Sequence, residues 1–110
     1  MTFDQIKKKH HIPLTEEIYH IQVAKRPNEI GEEEDAKTTW DVYLREPTLQ
    51  EEENLLSIMS TKILTATQMA LQSLYLEGDT EFLTNKSLIK SSMAFIGKIF
   101  DSQEAIIEKK

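Results

Sequence analysis

The sequence predicts an α+β fold: a two-stranded antiparallel hairpin packed on about three helices, with the C-terminal two-thirds mostly helical. Three observations carry this. Residues 38–53, TTWDVYLREPTLQEEE, read as a strand, then a stop, then a capped helix start. Residues 16–25, EEIYHIQVAK, are rich in β-formers. Residues 86–108 carry the clearest helical periodicity in the chain.

The length of 110 residues suits one domain, divided here into a basic N-terminal arm, 1–12, and a single small α+β domain, 13–110. The arm reads as either a short helix or a loose segment. Pro13 resets the chain. In the first strand, Tyr19, Ile21 and Val23 share one face, and Ile18, His20 and Gln22 share the other. Residues 26–37, RPNEIGEEEDAK, form a connector longer than most hairpin loops. The second strand alternates Trp40, Val42 and Leu44 with Thr39, Asp41, Tyr43 and Arg45. Pro47 cannot donate to a ladder and ends it. Two strands alone are marginal in water, so helices must cover them.

Thr48 stands three residues before Glu51, the spacing of a capping box, and opens a helix over about Leu49–Lys62. Leu49, Leu55, Leu56, Met59 and Ile63 are expected on its apolar side. Thr65 and Gln68 repeat the capping-box spacing, so a second helix is expected to begin there. The alternative is one long helix over 49–77 with a soft point at Ser60–Thr67. Residues 66–76 are apolar almost all round, which implies burial on more than one side, and Gly78 suits the C′ position. Phe82 and Leu83 are expected to tuck inward from the following turn. Asn85 is placed to cap the last helix. That helix would span roughly 33 Å, long for so small a domain. Leu88, Ile89, Met93, Phe95, Ile96, Ile99, Phe100, Ile106 and Ile107 form its apolar arc, with Ser92 and Gln103 as polar exceptions.

Charge and composition exclude several classes. The apolar fraction is 39%, so the core is modest or completed by a partner. The chain contains no cysteine, which removes disulfides and thiolate metal sites. No apolar run approaches the ~18–20 residues of a membrane span, and MTFDQIKKKHH does not read as a secretory signal. Residues 29–53 hold ten acidic and two basic groups, in a chain of net charge −6. Nucleic acid is therefore an unfavoured partner.

Candidate chemistry is sparse. His10 and His11 are adjacent and point apart, so they do not chelate one metal, and His20 reads as a packed ring. Glu32, Glu33, Glu34 and Asp35 lack calcium-loop spacing. They form either a solvated loop or a docking surface for a basic partner. Glu51, Glu52 and Glu53 splay around a helix start and suit its dipole. There is no nucleophile elbow, catalytic triad or phosphate-cradling glycine loop. No catalytic residue, metal ligand or cofactor is expected. Trp40 reads as a core anchor or an interface hot spot. Phe95, Ile99, Ile106 and Ile107 are the candidate partner or oligomer surface. A homodimer could bury Ile106 and Ile107, or the N-terminal arm could cover them through Phe3, Ile6 and Ile12.

Three segments carry a family resemblance: YLREPT at Tyr43–Thr48, LQSLYLEGD at Leu71–Asp79, and an amphipathic helix over Lys86–Lys110 ending in Lys-Lys. From Trp40 onward the chain resembles small proteins of the structural gene cluster of tailed bacteriophages, some of them similar to tail assembly chaperones. The N-terminal arm and the acidic loop depart from that pattern. The resemblance implies a non-enzymatic accessory protein in the bacterial host cytoplasm, binding a tape-measure or other phage structural protein. It transfers no functional residue. A virion structural component of capsid or tail, or a small host-directed binding module, are the alternatives.

Overall fold

The structure, a computed structural model, describes residues 2–99, without the side chains of Phe95, Ile96 and Ile99. It is α+β, as the sequence predicts. The order is α1 (Phe3–Lys9), β1 (Ile18–Ala24), β2 (Thr39–Arg45), α2 (Leu49–Met59), α3 (Ile63–Leu74), β3 (Tyr75–Gly78) and α4 (Lys86–Ile99). Short 3-10 turns occupy Pro27–Glu29 and Thr80–Leu83.

The sheet has three strands rather than two, in the order β1-β2-β3 and antiparallel throughout. β1 and β2 form the expected hairpin, with Ile21 opposite Val42 and Val23 opposite Trp40. β3 is the addition, and it occupies residues assigned above to a helix end. Tertiary pairing overrides helix propensity there. Asp79 N–H donates to Asp41 O at 2.7 Å, and Asp41 N–H donates to the Asp79 carboxylate at 2.9 Å. Gly78 is therefore not a helix C′ residue. It has φ +115°, and a Cβ there would fall 2.3 Å from Asp41 O. Only glycine lets the strand ends approach so closely.

Period-2 alternation sends Tyr19, Ile21, Val23, Trp40, Val42 and Leu44 to the inner face. There they meet Leu55, Ala70, Leu71, Leu74, Phe82, Leu88 and Ile89. Val42, Leu44, Leu71, Leu74 and Phe82 are fully buried. Each contributes about 1.5–3 kcal/mol by leaving water. Phe82 and Leu83 do tuck inward. Trp40 is half-buried against this core, with Lys25 Nζ 4.4 Å above its ring. Ser92, the polar residue inside the apolar arc of α4, is fully buried and donates to Leu88 O at 2.8 Å.

The helical region is split, as preferred above, but at a different place. α2 ends at Met59, and Lys62, at φ −138° and ψ 75°, precedes α3. Thr65 lies inside α3, so its capping box does not form. Gln68 instead donates to Leu83 O at 3.0 Å, joined by Gln72 at 3.2 Å. The Thr48–Glu51 box is present. Asn85 Oδ1 accepts from Ser87 and Leu88 N–H at 2.9 and 3.2 Å, as expected of an N-cap. Four apolar assignments change. Leu49 is 84% exposed, Leu56 46%, Ile63 48% and Met69 38%. Leu49 lies about 120° around the wheel from buried Leu55, which turns it off the core side.

The N-terminal residues form a helix. Thr2 and Gln5 make a capping box, at 3.2 Å for Gln5 N–H to Thr2 Oγ1 and 2.8 Å for the return bond. His11, at φ 56°, turns the chain after it. α1 lies on the outer face of the sheet. Ile6 is fully buried, and Phe3 meets Tyr43 edge-on at 5.9 Å.

Candidate interaction surfaces

The outer sheet face carries most of the paired charge. A row crosses the three strands: His20 on β1, Tyr43 on β2 and Glu77 on β3 are register partners. The His20 ring stacks on Tyr43 at 4.4 Å with a 12° tilt. Its Nε2 lies 2.7 Å from Asp41 Oδ1, while Thr39 Oγ1 donates to the other carboxylate oxygen at 2.8 Å. Burial pushes the Asp41 carboxyl up. The hydrogen bonds from Thr39 and His20, with the charge of Lys37, carry it below the usual range. Glu77 receives Lys9 and His10 from α1, the latter at 2.9 Å. Lys9 first, then His10, hold its carboxyl below the usual range.

This arrangement orients side chains across the outer face of the sheet. The His20–Asp41 pair has the polarity of a base and its orienting carboxylate, and the Thr39 hydroxyl donates to the same carboxylate. Among the described residues, no group of three or more His, Asp or Glu side chains converges as a metal site. The network docks α1 onto the sheet.

The turn from β2 to α2 is held by one guanidinium. Arg45 donates to both oxygens of Glu51 at 2.8 Å, to Ser73 O at 3.0 Å and to Glu46 O at 3.1 Å. Glu51 also accepts from Thr48 N–H at 3.0 Å. Arg45 and then the Thr48 backbone pull the Glu51 carboxyl down to about 2. The YLREPT segment is thus architectural: its Arg clamps strand to helix, its Pro stops the strand, and its Thr caps the helix.

The surface with unused apolar area is helical. Leu49 and Leu56, seven residues apart, share one stripe of α2. Leu56 and Ile63 are nearly half exposed, and Leu64 and Met69 on α3 over a third. Beside Leu64, a cleft of about 210 Å³ opens between α3 and the start of α4, walled by Thr65, Gln68, Thr84, Lys86 and Ile89. A second cleft of about 330 Å³ is basic, bounded by Arg26, Lys86, Ser87 and Lys90.

Of the two candidate surfaces singled out from sequence, only the acidic loop is described with its side chains. Glu32, Glu33, Glu34 and Asp35 are all exposed and make no ion pair with another described residue. Phe95 and Ile99 belong to α4 by backbone, but their side chains lie outside the described structure, as do Ile106 and Ile107 altogether. The exposure of Leu49 and Leu56 was missed because both leucines counted as core. Their wheel angles relative to Leu55 held the signal. Among the described residues, no helix is long and apolar enough to cross a membrane. No protein-family model matches the chain, and neither a curated protein nor a solved structure is similar to it.

Proposed function

We propose that this chain is a non-enzymatic accessory protein that acts by binding another protein, in the manner of a phage tail assembly chaperone. The specific role rests on the resemblance of Tyr43–Thr48 and Leu71–Asp79 to small phage structural-cluster proteins. The observation that carries the binding role is the exposure of apolar side chains on α2 and α3, Leu56, Ile63, Leu64 and Met69, of which Leu64 lines the 210 Å³ cleft. Exposed apolar side chains on two consecutive helices offer contact area to the apolar face of an amphipathic helix. A tape-measure protein offers such helices in quantity. In this reading the outer-face histidines and carboxylates are structural, and neither metal nor cofactor takes part.

Co-expression with helical segments of a tape-measure protein tests this. The pair is expected to co-purify, and Leu56→Glu with Leu64→Glu to abolish capture. Both positions are exposed, so the unfolding free energy should move by only about 0.5 kcal/mol. Capture that survives both substitutions sinks the surface assignment. Recovery of the chain at fixed stoichiometry in purified virions replaces the chaperone role with a structural one.

A further inference from the structure

The two edges of the sheet are treated differently. β3 is four residues long, its pairing with β2 shifts register between Tyr43 and Leu44, and Lys9 and His10 from α1 hold its Glu77. Short length and irregularity are the usual guards of an edge strand. β1 has neither guard. It runs for seven residues, pairs with β2 without a shift, and its sequence IYHIQVA contains no Pro, Lys, Asp or Glu.

The hydrogen-bond phase shows what that edge offers. Lys25 N–H donates to Thr38 O at 2.8 Å, continuing the ladder one pair beyond Ala24–Thr39. Antiparallel ladders alternate, so the odd-numbered residues of β1 exchange bonds with β2. On the far side of β2, Asp41 O accepts from Asp79 N–H, which gives the same phase. Ile18, His20, Gln22 and Ala24 therefore turn their N–H and C=O groups outward, and no further strand takes them among the described residues.

The flanks of this edge carry opposite charge. Glu16 and Glu17 precede it, and Lys25 and Arg26 follow. Arg26 also borders the basic cleft with Lys86 and Lys90. We propose that β1 is a self-pairing edge: two copies of the chain join antiparallel through β1, around a two-fold axis at Ile21, into one continuous six-stranded sheet.

This register meets three conditions at once. It sets Ile18 opposite Ala24 and His20 opposite Gln22, so the outward groups of both copies are in phase. It continues the inner apolar face, with Tyr19 opposite Val23 and Ile21 opposite itself. It places Glu17 opposite Lys25 twice, and leaves Glu16 beside Arg26 and its basic cleft. A two-residue slip keeps the phase but sets Glu17 against Val23 or Pro27. A foreign strand would have to reproduce this charge order, whereas a second copy supplies it by symmetry.

The test combines sedimentation with amide hydrogen exchange on the full chain. A concentration-dependent dimer is expected, with the amides of Ile18, His20, Gln22 and Ala24 protected in the dimer and fast on dilution. Glu17→Lys should weaken the dimer roughly tenfold or more, since two opposed pairs become like-charged. Adding Lys25→Glu to that variant should restore wild-type affinity within a few fold, which a purely structural role for either residue does not produce. Gln22→Pro removes an outward N–H without touching the β2 ladder, and should give a folded monomer. If it fails to fold, the charge-swap pair still decides. A wild-type monomer at several hundred micromolar with fast exchange at the four amides overturns the proposal. So does a dimer indifferent to Glu17→Lys, or protection of the four amides by a different protein bound to a monomer.

Discussion

Arg45 ties the end of β2 to the start of α2 and the end of α3 through a single side chain. Its two-pronged contact with Glu51 is the geometry in which an ion pair contributes most, because both oxygens are fixed and one also closes the helix cap. The consequence is a defined acid sensitivity. Glu51 titrates near 4.5 when unpaired and is drawn down to about 2 in the fold, by Arg45 first and the Thr48 backbone second. A depressed carboxylate lends stability that is complete above the unfolded value and disappears as pH falls through the folded one. Glu77 and Asp41 are also lowered and act in the same sense. Chemical denaturation repeated between roughly pH 5 and pH 2 should show falling stability in the wild type. The slope should be shallower in Glu51→Gln, and the two curves should converge at the acid end. Parallel curves across that window would mean that Arg45 and Glu51 are not coupled in solution.

Helices and strands were legible wherever local chemistry decides them, and not where distant contacts do. The Thr48–Glu51 and Asn85 caps, the Pro47 stop and the alternation of Trp40, Val42 and Leu44 are local, and all appear as read. The Thr2–Gln5 capping box is equally local in MTFDQ, and it decides for a helix within the segment 1–12 that reads as either a short helix or a loose arm. The Thr65–Gln68 spacing misled, because two residues three apart do not make a cap unless the backbone between them starts a helix. β3 could not be read locally. Its sequence YLEG follows a good helix, and its extension depends on Asp41, far away in the chain. Gly78→Ala tests that dependence. The new Cβ would collide with Asp41 O, and alanine at φ +115° is strained. The expected cost is about 1–3 kcal/mol or more, read from denaturant midpoints at unchanged slope. A neutral substitution would mean that β3 contributes little.

At the scale of the whole molecule, the α+β class followed from periodicities, whereas the second layer on the sheet did not. α1 belongs to the fold through contacts that no local pattern signals, such as His10 with Glu77, 67 residues apart. The outer face it covers is the mostly polar one, where Asp41, Tyr43 and Arg45 alternate against the core-facing residues of β2. Charge runs such as Glu32–Asp35 announce their own exposure, but the exposure of Leu49 and Leu56 depends on where the neighbouring helix lies. If α1 is an integral layer, it should unfold with the rest. Ile6 is fully buried beneath it, so Ile6→Ala should cost about 2–5 kcal/mol of global stability. Fluorescence of Trp40, on the opposite face of the sheet, should report the same midpoint as far-UV dichroism, because a two-state domain loses both faces together. An α1 that is only a loosely attached arm would give a different result. Ile6→Ala would then leave the Trp40 transition in place, and amide exchange in residues 3–9 would be fast in the wild type and the variant alike.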